Sequence, residues 1–157
     1  MRVLVCDNVS PKGVACLEAA PELDVVVVDG GLTDELLAEA EAIIVRSATK
    51  VTPEVMAKAP KLRVVGRAGV GVDNVDVDHA TSQGIVVMNT PSGNTISTAE
   101  LTFSMLMALA RKIPQAHMSM KNGEWNRKAF AGTELSGKTL GILGMGRIGG
   151  QVARRAI

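Results

Sequence analysis

An α/β architecture built on a parallel sheet is predicted from three observations. Short apolar runs rich in β-branched residues recur, segments with helix-start signals separate them, and glycine-rich loops follow several of the runs. The runs occupy residues 3–6, 25–28, 42–45, 62–65 and 85–88. None alternates polar with apolar residues, which suits parallel strands covered by helices on both faces. Thr33 caps one helix, with Asp34 and Glu35 in its first turn; Thr52 caps another, with Pro53 at its first position; Asp76 caps a third, which Gly84 ends. Strands alternating with helices through right-handed crossovers give a doubly wound layer.

The pattern changes near residue 95, where the domain boundary is expected: one lobe over 1–95, a second unit over 96–157. Ser97-Thr98-Ala99-Glu100 reads as a capping box before Leu101, Phe103, Met105, Leu106, Met107, Leu109 and Ala110. A helix this apolar on all sides is expected to be buried, in a core or a subunit contact. Pro114 should kink or end it. Residues 121–128 form a polar loop or hairpin, and 135–138 turn into a further strand at 139–143.

Composition excludes several partners. With 17 basic against 16 acidic residues, a net charge of +1 and 2% aromatic content, the chain has neither the charge excess nor the stacking surface of a nucleic-acid binder. The N-terminal apolar run before Asp7 is too short for a signal peptide or a membrane span. Cys6 and Cys16 lack zinc-site spacing, so no metal is expected, and both read as buried thiols of a cytoplasmic protein.

Gly144-Met145-Gly146-Arg147-Ile148-Gly149 carries the chemistry. An apolar strand runs into this G-x-G-x-x-G and a helix leaves it, the order of a dinucleotide site. Gly144 permits the turn, Gly146 lets a pyrophosphate approach the backbone, and Gly149 lets helix and strand pack closely. Free N–H groups at the helix start bind phosphate. A second glycine cluster, Gly66-Arg67-Ala68-Gly69-Val70-Gly71, leaves the fourth strand, Arg46-Ser47 leaves the third, and Asn89 to Asn94 leave the fifth. In a parallel sheet these loops share the carboxyl edge, where an arginine and backbone amides suit a small carboxylate or phosphate.

These segments, with Val45-Arg46-Ser47-Ala48-Thr49-Lys50, Gly71-Val72-Asp73-Asn74-Val75-Asp76 and Asn89-Thr90-Pro91-Ser92-Gly93-Asn94, resemble the D-isomer-specific 2-hydroxyacid dehydrogenases over essentially the whole chain. The motifs are most similar to members that oxidise a phosphorylated 2-hydroxy acid. The resemblance implies a flavodoxin-like substrate-binding lobe followed by the start of a Rossmann dinucleotide-binding domain. By position it implies that Arg46 and Ser47 face the substrate, that amides of Gly69, Val70 and Gly71 hold its carboxylate, and that Asn94 contacts its polar tail. For the cofactor it implies NAD, with NADP left open, held by Gly144, Gly146, Arg147, Ile148 and Gly149. The family often has threonine where this chain has Val70, so only the backbone contact of Val70 to cofactor carries over. Trp125 and Arg127 match an element at the family's dimer contact, which implies a homodimer or higher homo-oligomer.

The family's catalytic arginine, glutamate and histidine belong to the part of the cofactor lobe after Ile157, so no catalytic residue is expected in this chain. His79 and His117 do not match that histidine and read as surface or packing residues. The expectation is an N-terminal part of an oxidoreductase, inactive alone. The alternatives are a glyoxylate or hydroxypyruvate reductase relative, or a non-catalytic module for carboxylate binding or dimerisation. The last helix presents Ile148, Val152 and Ala156 with only the 139–143 strand to cover them, so this face is expected to be exposed and to drive association.

Overall fold

The computed structural model describes residues 1–157, which form two units, Met1–Gly93 and Asn94–Ile157. In the first unit, strands β1 (Arg2–Val5), β2 (Asp24–Val27), β3 (Ala42–Val45), β4 (Val64–Arg67) and β5 (Val86–Asn89) alternate with helices α1 (Pro11–Glu18), α2 (Asp34–Glu39), α3 (Pro53–Ala57) and α4 (Val77–Ser82). All strand pairs are parallel, in the order β2-β1-β3-β4-β5. This is the flavodoxin-like order, whose direction reverses between β1 and β3.

That reversal explains why the strands are apolar throughout. A right-handed crossover from β1 to β2 places α1 on one face, and the opposite march through β3, β4 and β5 places α2, α3 and α4 on the other. Successive strand residues therefore feed two cores. Val3, Val5 and Ala42 pack with Val14 and Leu17 of α1, whereas Leu4, Cys6, Ile43 and Val45 pack with Leu37 of α2, Met56 of α3 and Ala80 of α4. Coverage of both faces is incomplete at the edge, where Val86 and Met88 of β5 are exposed.

The expected caps form. Thr33 Oγ1 accepts the Leu36 N–H at 3.3 Å, Thr52 Oγ1 that of Val55 at 3.4 Å, and Asp76 Oδ1 that of His79 at 2.8 Å. Two strands start later than the apolar runs suggest, because Leu62 and Ile85 lie before β4 and β5, buried in the core.

The second unit contains α5 (Thr95–Ala110), α6 (Ile113–Lys121), a 3-10 turn (Arg127–Phe130) and α7 (Arg147–Ala156). Here several expectations are corrected. Helix α5 begins at Thr95 after Asn94, so the anticipated capping box lies inside it. Ser97 donates its hydroxyl back to the Asn94 carbonyl at 3.1 Å, and Glu100 pairs with Arg155 of α7 at 3.1 Å. Burying an all-round apolar helix takes neighbours on every side. Ala99 is the one buried residue of α5, while Leu101, Met105 and Leu109 are exposed, Leu109 at 78%. The neighbour that α5 does have is α7, whose Val152 is 8% exposed, so the face of α7 expected to be open is partly covered.

The break comes before Pro114. Lys112 takes a left-handed conformation (φ 53°), and Pro114 occupies the first turn of α6, where its missing N–H leaves no helical bond unmade. The 121–128 stretch completes α6, passes Gly123 and enters the 3-10 turn, so no hairpin forms. Residues 139–143 are not a strand: their backbone groups have no neighbouring strand, and Leu143 is fully exposed. No helix is long and apolar enough to cross a membrane.

Ile43, fully buried at the centre of β3, tests the sheet core. Ile43→Ala should destabilise the protein by about 2–5 kcal/mol, read as a lower urea midpoint with unchanged slope.

Candidate functional site

Because every strand of the first unit is parallel, the loops after β1, β3, β4 and β5 leave one edge, and the site is built there. Asp7 and Asn8, directly after β1, both take left-handed conformations at φ 63° and 57°. This unfavourable backbone turns the Asp7 carboxylate toward the loop after β3. It accepts the Arg46 N–H at 2.8 Å, the Thr49 N–H at 2.9 and 3.1 Å, and the Thr49 hydroxyl at 2.6 Å.

The other side of the same loop is held from the β4 loop. Asn74 Nδ2 donates to the carbonyls of Arg46 at 2.9 Å and Thr49 at 2.6 Å, and Arg67 Nε donates to the Arg46 carbonyl at 3.2 Å. Asn74 is itself placed by a parallel bridge between Val51 and Val75, in which the Val51 N–H meets the Asn74 carbonyl at 2.8 Å. The loop's backbone is thus fastened while the side chains of Arg46 and Ser47 are exposed. They line a cleft of about 720 Å³ with Asp7, Asn8 and Asp29 at the carboxyl ends of β1, β2 and β3.

The glycine loop after β4 is anchored by β5. Asn89 Nδ2 donates to the Val70 carbonyl at 2.6 Å, and the Thr90 N–H to that of Gly69 at 2.9 Å. A Cβ at Gly69 would overlap the Arg67 guanidinium, so glycine lets that side chain lie against the loop and a larger residue would displace the arginine. Of the three amides expected to hold a carboxylate, that of Gly69 is committed to the Arg67 carbonyl at 2.8 Å, whereas the N–H groups of Val70 and Gly71 have no protein acceptor. Two adjacent open N–H donors beside a guanidinium form an anion-binding concavity.

In the second unit, the Asn94 carbonyl accepts the Thr98 N–H at 2.9 Å, and its side chain makes no cap bond. At the Gly144 motif the backbone turns directly into α7. Gly144 has φ +95°, Gly146 is the residue before α7 with open space around it, and Gly149 lies so close to the Gly144 carbonyl that a Cβ would overlap it. Within α7 the first-turn N–H groups of Ile148 and Gly149 have no carbonyl to reach. Trp125, 72% exposed, and Arg127 border a hollow of about 250 Å³ with Met120 and Phe130. His79 lies half-buried in α4 and His117 is exposed on α6. No group of three His, Cys, Asp or Glu side chains is placed to hold a metal ion.

Sequence reasoning did not single out Asp7, Arg67 or Asn74 as site residues. Asp7 and Arg67 do carry a readable signal, since each is a charged residue at the carboxyl end of a parallel strand. The reading of both cysteines as buried is corrected: Cys6 is buried and Cys16 is exposed on α1. Burial, aided by the Asp7 charge and opposed by a hydrogen bond with Thr49, pushes the Cys6 thiol up to about 11. It is therefore protonated at neutral pH and a poor nucleophile. A thiol reagent should titrate Cys16 alone in the folded protein, and both cysteines only after denaturation.

Partial burial pulls the Asp7 pKa upward, but the bonds from the Thr49 hydroxyl and from the N–H groups of Thr49, Arg46 and Ala48 outweigh it and hold the carboxyl below the ordinary value. Its contribution to stability is then full above about pH 4, the unfolded value, and is lost as pH falls through the lower folded value. Denaturant melts of wild type and Asp7→Asn should differ most at pH 6–7 and converge toward pH 2.

The family description "D-isomer specific 2-hydroxyacid dehydrogenase, catalytic domain" matches residues 3–138. The chain is 57% identical over 159 residues to D-3-phosphoglycerate dehydrogenase of Homo sapiens and 52% identical over 155 residues to that of Bacillus subtilis, covering 98% and 99% of this chain. It spans about 30% of the length of those relatives, 29% and 30% respectively. Among solved structures it is similar to a D-lactate dehydrogenase from Aquifex aeolicus complexed with NAD and lactic acid. The TM-score is 0.87 at 30% identity, over 98% of this chain and 47% of that one. The sheet order, the glycine loop and these matches make the chain a member of the D-isomer-specific 2-hydroxyacid dehydrogenase family.

Proposed function

We propose that the first unit is the substrate lobe of a D-3-phosphoglycerate dehydrogenase and that the second begins its NAD-binding lobe, within a protein of the relatives' length. The reaction assigned is oxidation of D-3-phosphoglycerate to 3-phosphohydroxypyruvate, the entry to serine synthesis. One observation carries the reading: the glycine loop offers two open N–H donors, from Val70 and Gly71, on the edge where Arg46 and Ser47 are also exposed. A carboxylate there takes charge-assisted bonds from both N–H groups, while the Arg46 guanidinium and Ser47 hydroxyl orient the rest of the acid. The two relatives named above supply the substrate assignment.

The residues present fit NAD. The open space at Gly146 admits a pyrophosphate, and the backbone from Gly144 to Gly149, with N–H groups of the first turn of α7, would hold it. NAD when bound supplies a hydride acceptor. His79 borders a separate hollow with Met56, Leu62 and Gln83 rather than the cleft of Arg46 and Ser47, and His117 is exposed on α6 of the second unit, so neither is assigned as a general acid or base and hydride transfer is not assigned to residues 1–157 alone. Trp125 and Arg127 are assigned to an inter-subunit contact of a homodimer, which the exposure of Trp125 supports. A second reading, a non-phosphorylated 2-hydroxy acid, is favoured by the likeness to the lactate-bound structure.

Kinetics of the full-length protein separate the two. 3-Phosphoglycerate should exceed glycerate by about 100-fold in kcat/KM, the size expected of two charge-assisted hydrogen bonds to phosphate. Equal efficiencies would sink the phosphorylated substrate.

A further inference from the structure

We propose that Asp7 is a positioning residue, whose carboxylate fixes the pose of the 46–49 loop and thereby aims Arg46 and Ser47 at the substrate. The proposal rests on the reading that those two side chains meet the substrate. The Thr49 hydroxyl and the N–H groups of Arg46 and Thr49, from a segment 39 to 42 residues away, converge on this one carboxylate. Its oxygens are engaged by these donors, so Asp7 is not placed to take a substrate proton and acts through the loop.

The sheet does not need this clamp. Asp7 belongs to neither core cluster, and β1 is already joined to β3 through their ladder and the Cys6 N–H to the Ile44 carbonyl at 2.8 Å. Yet Asp7 and Asn8 both hold left-handed backbone, a conformation that persists only where surrounding bonds over-determine it. Asn74 holds the carbonyls of Arg46 and Thr49 while Asp7 holds their N–H groups. The loop's two hydrogen-bonding sides are therefore set by two different strands' loops. The side chains of Arg46 and Ser47 make no hydrogen bond to the protein, so their direction is inherited from the backbone that Asp7 and Asn74 fix.

The test uses the full-length protein with Asp7→Asn, Thr49→Val and Thr49→Ser. Asp7→Asn keeps the shape but turns one acceptor into a donor facing N–H groups, and Thr49→Val deletes only the hydroxyl. For Asp7→Asn, KM for 3-phosphoglycerate should rise about tenfold, kcat should stay within about threefold and KM for NAD should not change, as expected when substrate binding is weakened by one charge-assisted bond. Amide hydrogen exchange at Arg46 and Thr49 should accelerate at least about tenfold. Thr49→Val should shift the same readouts by less, and Thr49→Ser should restore them. Should Asp7→Asn fail to fold, the two Thr49 variants decide the matter. Unchanged exchange overturns the clamp, and faster exchange with an unchanged KM overturns the aiming role. Absence of turnover of 3-phosphoglycerate by wild type defeats the substrate reading instead, and the exchange data then still decide whether Asp7 holds the loop.

Discussion

Parallel pairing in the first unit constrains everything built upon it. Neighbouring strands that run the same way have to return through helices, so each carboxyl end, at Val5, Val45, Arg67 and Asn89, arrives on the same side of the sheet. Loops that are far apart in sequence are thereby brought within hydrogen-bond reach of one another. The Asp7 carboxylate reaches Thr49, Asn74 reaches Arg46, and Asn89 reaches Val70. None of these contacts exists until the sheet registers its strands, and all are set once it does.

The same constraint divides what can be read locally from what cannot. The strands of the first unit are legible because burial on both faces demands unbroken apolar runs. The caps at Thr33, Thr52 and Asp76 are legible because each bond spans three residues. The Gly144 motif is legible for the same reason, its turn and close approach being decided within six residues. The Asp7 to Thr49 clamp is not, since nothing local marks a partner 42 residues away. Local signals also mislead where a stronger neighbour competes. Ser97 has the look of a cap, but Asn94 starts the helix first and Ser97 bonds back to it.

Residues 139–143 and helix α5 show the limit of pattern in the second unit. An apolar β-branched run becomes a strand only when a second strand takes its N–H and C=O groups, and here none does. An apolar helix becomes core only when neighbours surround it, and within this chain α5 has a neighbour in α7 while Leu101, Met105 and Leu109 are exposed. In both cases the sequence declares a preference that non-local partners must satisfy. Where the partner is present, as for Val152 of α7 against α5, the preference is met.

The close approach of Arg67 to Gly69 couples position 69 to the 46–49 loop. A methyl group at 69 would meet only the guanidinium, the far end of a flexible side chain, so the arginine and not the backbone would give way. The displaced guanidinium would carry with it the bond from Arg67 Nε to the Arg46 carbonyl. A side chain at 69 is therefore expected to be tolerated by the fold and felt one loop away, where Asn74 would be left to hold the Arg46 carbonyl alone.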